Sequence, residues 1–131
     1  DMTRTVAVGY VSDEMTAVYG TVLRAQRSAL KTLKPGADCA AADAAAREII
    51  SKAGFGEFFS HGAGHGVGLE IHEAPSLSPA SKETLSEGDT VTVEPGIYIP
   101  GRFGVRIEDM AVITDTGHEN LTRSLKELII L

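Results

Sequence analysis

Asp1, His61, His65, His72, Glu94, Arg106 and Glu108 are the residues of this 131-residue chain whose types could do chemistry together. Three of the four histidines lie in one stretch, His61-Gly-Ala-Gly-His65-Gly-Val-Gly-Leu-Glu-Ile-His72-Glu73. Glycine at every second position from Gly62 to Gly68 argues against a helix there, at roughly 1 kcal/mol per glycine relative to alanine. In an extended run, glycine marks backbone that a ligand or another strand approaches closely. Side chains alternate along such a run, so His61, Ala63, His65 and Val67 share a face. An imidazole with several carboxylates is a ligand set for a divalent ion of intermediate or hard character. Carboxylates also bridge two ions, and a two-metal centre activates one water for hydrolysis. The residues alone leave a plainer account open. In it the histidines decorate a glycine-rich turn, Arg106 pairs with Glu108, and Glu94 is a solvated turn residue.

These side chains need a scaffold, and the chain spells out one in order. Thr3 to Val8 alternates polar and β-favouring residues and predicts a strand ended by Gly9. Ser12 is a plausible N-cap, with Asp13 and Glu14 suited to a first helical turn. From Met15 to Leu33 apolar residues recur at spacings of three and four, which predicts a helix of about five or six turns. Lys31, Lys34 and Pro35-Gly36 close it. The alanine-rich run from about Ala40 to Ala53 predicts a second helix, stopped by Gly54. Beyond the histidine stretch, His72-Glu-Ala-Pro75 through Ser81 reads as a punctuated loop and Glu87-Gly-Asp as a turn. Thr90 to Val93 is a short strand, halted by Pro95 and resumed at Ile97-Tyr-Ile. Val105 to Ile113 has the strongest alternation, with Arg106, Glu108, Met110 and Val112 on one face. Charges such as Arg106, Glu108 and Asp109 in a β-rich run are costly to bury unless paired or bound to an ion. Asp115-Thr-Gly117 is a hairpin turn, His118 to Leu121 returns, and Leu125 to Leu131 ends the chain on apolar residues. Helices followed by antiparallel strands predict an α+β fold, two helices packed on a curved, mainly antiparallel sheet.

Composition narrows the function classes. The chain is 43% hydrophobic and 23% charged, which suits one globular unit. A net charge of −6 and the lack of a basic patch argue against a nucleic-acid partner. No apolar run reaches membrane-spanning length. The single cysteine, Cys39, has no internal disulfide partner, rules out a thiolate zinc site and is expected half-buried in a helix. A reducing cytoplasm is the default expectation. The chain opens on Asp1 rather than methionine, as expected of a piece of something longer.

Asp1-Met-Thr-Arg-Thr, the stretch from His61 to Glu73, Glu94-Pro-Gly-Ile-Tyr and Arg106-Ile-Glu108-Asp109 together resemble, in order, the motifs of the pita-bread metallopeptidases. That superfamily includes methionine aminopeptidase, Xaa-Pro aminopeptidase and prolidase. The resemblance spans nearly the whole chain, and the extra histidine at position 61 points to the proline-specific branch. It implies that residues 1–131 are the C-terminal part of a catalytic domain in the pita-bread fold. The implied ligands of two divalent ions are Asp1, His65, Glu94 and Glu108. Mn²⁺ is the first choice for an oxygen-rich set, with Co²⁺ and Zn²⁺ as alternatives. Glu94 would also shuttle a proton, His72 would bond the substrate carbonyl or tetrahedral intermediate, and His61 would hold the substrate. Arg106 would orient the carboxylates on the substrate side of the site.

The implied substrates are proline-containing peptides, cleaved between an N-terminal residue and proline. The resemblance also implies a homodimer when full length. Prolidases often carry an arginine in the loop after His72, but Lys82 is the only basic residue between His72 and Glu94. Dipeptidase and aminopeptidase therefore both stand. A second aspartate, about ten residues before Asp1, is required by the family pattern. The chain by itself is accordingly expected to be inactive without the N-terminal half. The rivals are a metal-free, creatinase-like amidinohydrolase and a non-catalytic module that binds a peptide or protein. Keeping His65, Glu94 and Glu108 together speaks against the first, and metal content would test the second.

Overall fold

The computed structural model describes all 131 residues. Two helices, α1 (Asp13–Leu30) and α2 (Cys39–Lys52), come first, and a 3-10 turn (Gly56–Phe58) follows. The strands are β1 (Gly64–Gly66), β2 (Glu73–Leu77), β3 (Thr90–Val93), β4 (Gly96–Ile99), β5 (Phe103–Arg106), β6 (Asp109–Ile113) and β7 (His118–Asn120). Five of them form an antiparallel sheet in the order β2-β1-β3-β6-β7, while β4 and β5 make a separate hairpin. This is the expected α+β arrangement, with the helices and the sheet sharing one core.

The helices begin and end where their local chemistry directs. The Ser12 hydroxyl accepts from the Met15 N–H at 3.2 Å, and Asp13 and Glu14 complement the positive end of the helix dipole. Val18, Tyr19, Val22, Ala25 and Ala29 of α1 are buried, at the predicted spacings. On α2 the buried stripe is Cys39, Ala42, Asp43, Ala46 and Ile50, whose small residues let the two helices approach closely. Gly54, at φ +86°, takes the left-handed conformation that ends α2.

Four features depart from the reading of the sequence. Thr3 to Val8 is not a continuous strand. Thr3 bridges Glu108 antiparallel, Ala7 bridges Ile130 in parallel, and the Thr5 hydroxyl bonds the Arg106 carbonyl between them at 3.0 Å. Two unrelated partners leave no single ladder to join. The loop expected after His72 contains β2, an edge strand beside β1 that tolerates Pro75 because an edge need not donate on both sides. The long strand expected from Val105 to Ile113 breaks after Arg106, since β5 pairs with β4 and β6 pairs with β3. The histidine stretch is regular strand only from Gly64 to Gly66.

The glycines of that stretch are explained by the chain's own strands. A Cβ at Gly64 would overlap the Thr92 carbonyl of β3, and one at Gly66 would overlap the Ala74 carbonyl of β2. Of the two readings open for them, close approach by a neighbouring strand is what the packing requires.

Cys39 is fully buried rather than half-buried. Burial, reinforced by the nearby acids Glu83, Asp89 and Asp38, pushes its thiol up to about 11. The folded state therefore favours the neutral thiol more than the unfolded state does. Its contribution is complete below the ordinary value of 9.0 and declines as pH rises from there towards about 11. Urea unfolding from pH 8 to 11 should show this loss, and Cys39→Ala should flatten that part of the profile.

Candidate functional site

Strand alternation brings the chemical residues to one end of the sheet. His65 is the middle residue of β1, and Glu94 follows β3, which pairs with β1 at Gly66 and Val91. Glu108 lies where the chain passes from β5 to β6, and its N–H donates to the Thr3 carbonyl at 3.0 Å. That bridge sets Asp1, two residues before Thr3, beside Glu108.

The resulting geometry is tight. Asp1, His65 and Glu108 each offer a donor atom, and these atoms lie within 4.8 Å of one another. His65 Nε2 is 3.1 Å from Glu94 Oε1 and 3.9 Å from Asp1 Oδ2. His65 Nδ1 donates to the Gly66 carbonyl at 3.0 Å, so in the neutral ring Nε2 presents a lone pair to those carboxylates. An acceptor nitrogen among three acidic side chains is a donor set that fits a cation of carboxylate and imidazole preference. His72 stacks obliquely on His65, with ring centroids 4.3 Å apart. His61, His65, His72, Glu94 and Arg106 line one open pocket floored by Gly62 and Gly64.

Arg106 does not pair directly with Glu108. Its Nε–H donates to the Thr3 hydroxyl at 3.0 Å, and that hydroxyl donates to Glu108 Oε2 at 2.5 Å. The plainer account of Glu108 as a simple partner of Arg106 therefore does not hold. Burial opposes the Arg106 charge, but the Tyr98 hydroxyl and then Glu108 and Glu94 more than offset it, raising its pKa. Burial pushes the Tyr98 hydroxyl up, against the pull of Arg106. Tyr98 donates to His61 Nε2 at 2.7 Å, because His61 Nδ1–H is engaged with the Gly62 carbonyl at 2.7 Å.

Asp109, grouped by sequence with Glu108, has a different environment. It is fully buried and accepts from Arg4, Gln26, Asn120 and Lys126. Burial works against its charge, but the bonds from Lys126, Asn120, Arg4 and Gln26 prevail and hold its carboxyl below the usual range. Arg4 also donates to the Glu108 carbonyl at 2.6 Å.

Thr3, Thr92 and Tyr98 belong to this constellation, and reasoning on the sequence gave them no role. The Thr92 hydroxyl accepts from the His65 N–H and donates to Glu94 Oε1, both at 3.1 Å. Period two would have flagged Thr3 beside Asp1 and Thr92 beside Glu94. Tyr98 carries no such signal, because its partner His61 is distant in sequence.

Residues 1–115 match the model of metallopeptidase family M24. The chain belongs to this family. A relative named Xaa-Pro dipeptidase, from Pyrococcus furiosus, is 47% identical over 129 residues, which cover 98% of this chain and 37% of the relative. The solved structure of an Xaa-Pro dipeptidase from Bacillus anthracis superposes with a TM-score of 0.97 at 53% identity. It covers 100% of this chain, which spans 37% of that structure. An X-Pro aminopeptidase from Thermotoga maritima superposes at 0.95 with 45% identity, over 100% of this chain and 37% of its own. The two helices on a mainly antiparallel sheet are thus part of the pita-bread fold of the M24 family, its C-terminal half, and the chain spans a little over a third of the length of these relatives. No helix is long and apolar enough to cross a membrane.

Proposed function

We propose that this chain is the C-terminal part of the catalytic domain of a metal-dependent peptidase that cleaves between an N-terminal residue and proline. The observation that carries the reading is the convergence of Asp1, His65 and Glu108 within 4.8 Å, with Glu94 3.1 Å from His65. Asp1, His65, Glu94 and Glu108 would hold two divalent ions, Mn²⁺ first for an oxygen-rich donor set. When bound, such ions supply Lewis acidity and make water acidic enough to act as a nucleophile near neutral pH. Thr92 fixes the Glu94 carboxylate and Thr3 fixes that of Glu108.

Glu94 takes the proton given up by the attacking water and delivers it to the proline nitrogen as the bond between that nitrogen and the carbonyl carbon breaks. His72, at the open rim, donates to the carbonyl oxygen as negative charge develops there. His61, braced by Tyr98, holds the peptide, and Arg106 braces Thr3 from the substrate side. Both dipeptidases and aminopeptidases occur among the similar proteins, so either peptide length fits the reading. The relatives are nearly three times as long as this chain, which supports the proposal that the N-terminal half is needed for turnover.

The test is hydrolysis of Ala-Pro and of longer Xaa-Pro peptides by the full-length protein with Mn²⁺. Failure on both overturns the peptidase reading, and full activity from residues 1–131 alone overturns the need for the other half. In the same assay His61→Ala should raise KM about tenfold, the scale of one lost hydrogen-bonding site, with a smaller change in kcat.

A further inference from the structure

The chain from Phe59 to Ala63 leads into the candidate site without belonging to any strand. Its ladder bonding is sparse, and the one bond to the sheet is the Glu94 N–H to the Ala63 carbonyl at 2.7 Å. A stretch with so few backbone bonds would be loose by itself. Yet His61 within it must meet the Tyr98 hydroxyl on β4.

Helix α2 supplies the missing restraint through one ion pair. Arg47 grips Asp43 in a two-pronged fork, Nε to Oδ2 at 2.7 Å and Nη2 to Oδ1 at 2.9 Å. The same guanidinium donates to the Phe59 carbonyl at 2.9 Å and to the His61 carbonyl at 2.8 Å. Asp43 Oδ1 accepts from the Ala63 N–H at 2.9 Å. The guanidinium lies 4.1 Å from the Phe59 ring centroid, and that ring meets the His61 imidazole edge-on at 5.2 Å. Residues 59, 61 and 63 are therefore held at alternate positions by a single pair one helical turn apart. Asp43 is 1% exposed, so these partners take the place of water around its carboxylate.

We infer that Asp43 and Arg47 are positioning residues for His61, setting the height and rotamer of its ring against Tyr98 and hence the peptide-holding side of the site. An apolar contact could dock α2 against this stretch. A planar fork additionally fixes individual carbonyls, which a lysine cannot reproduce. The inference rests on the assignment of His61 to substrate holding.

The test uses the full-length protein with Mn²⁺, comparing Arg47→Lys and Asp43→Asn with the parent. Arg47→Lys should raise KM about tenfold, as for loss of charge-assisted bonds, with kcat within about twofold. In a His61→Ala background the same substitution should change KM by less than about twofold, because the two effects run through one residue. Mn²⁺ affinity by calorimetry should not move. Independently of activity, ¹⁵N NMR of the imidazoles should show a single Nδ1–H tautomer for His61 in the parent and a mixture in Arg47→Lys.

An unchanged KM and tautomer in a folded Arg47→Lys protein overturns the inference. So does an equal KM rise in the His61→Ala background, and so does failure of both Arg47→Lys and Asp43→Asn to fold, which would make the pair scaffold alone. If no form cleaves any Xaa-Pro peptide, the peptidase reading falls instead, and the tautomer measurement still decides the positioning.

Discussion

On the proposed peptidase reading, Glu94→Gln in the full-length protein is expected to lower kcat/KM towards Xaa-Pro peptides by about 10³-fold, within the range for loss of a positioned acid–base group. The amide keeps the size of the side chain and can still bond Thr92, so packing is preserved. What disappears is the negative charge 3.1 Å from His65 Nε2 and, in the proposed mechanism, the carboxylate that carries a proton to the leaving nitrogen. Two readouts separate this from simple damage. The melting temperature of metal-free protein should be unchanged within about 2 °C, because the isosteric amide opens no cavity around a side chain that is only 15% exposed and keeps its Thr92 bond. The rise that Mn²⁺ confers on the parent, about 2–4 °C near 100 times its Kd, should shrink or vanish. A variant with the Mn²⁺ response intact and only the rate reduced would confine Glu94 to proton transfer. One with normal kcat/KM would remove Glu94 from the mechanism.

The fold was largely legible because its elements are amphipathic. Ser12, the three-and-four spacing of Val18, Val22, Ala25 and Ala29, and Gly54 place both helices to within a few residues. Legibility failed where pairing depends on distant partners. Nothing near Val105 to Ile113 announces that β5 and β6 serve different sheets, because the two-residue period continues on both sides of the change of partner, and Asp109, the one break in the apolar face, does not mark where pairing switches. Pro75 suggested a loop, yet an edge strand accommodates it. In the candidate site, Asp1, His65, Glu94 and Glu108 were visible by type, and the fold brings them together. Tyr98, Asp43 and Arg47 were not, since a tyrosine in a strand and an i,i+4 ion pair on a helix are ordinary surface patterns. Only the fold shows that both converge on His61.

The division between Glu108 and Asp109 gives the largest stability effect. Adjacent acids in one β-rich run looked alike in the sequence, but Asp109 faces Arg4, Gln26, Asn120 and Lys126, whereas Glu108 faces the site. Removing the Asp109 carboxylate strands two partly buried cations, at 13% and 16% side-chain exposure, with little water to solvate them. Asp109→Ala should therefore cost about 3–5 kcal/mol, the scale of breaking a buried pair by deleting one member. The exposed Arg102–Glu14 pair is the control, and its loss should leave stability nearly unchanged. Buried Cys39 reports the effect, because a thiol reagent reaches it only through opening, and its labelling should accelerate by more than about 100-fold in Asp109→Ala. Acid should act like the substitution. The Asp109 carboxyl is held below its ordinary 3.8, so its stabilisation is complete above that value and is lost as pH falls through the lowered folded pKa. Since Arg4 joins Asp109 to the Glu108 carbonyl, the same loss should loosen the bridge between Thr3 and Glu108 and carry Asp1 away from His65. Mn²⁺ affinity in a folded Asp109→Asn protein should then fall by about 10–100-fold, the range for residues that orient ligands. An affinity equal to the parent's would confine Asp109 to the scaffold.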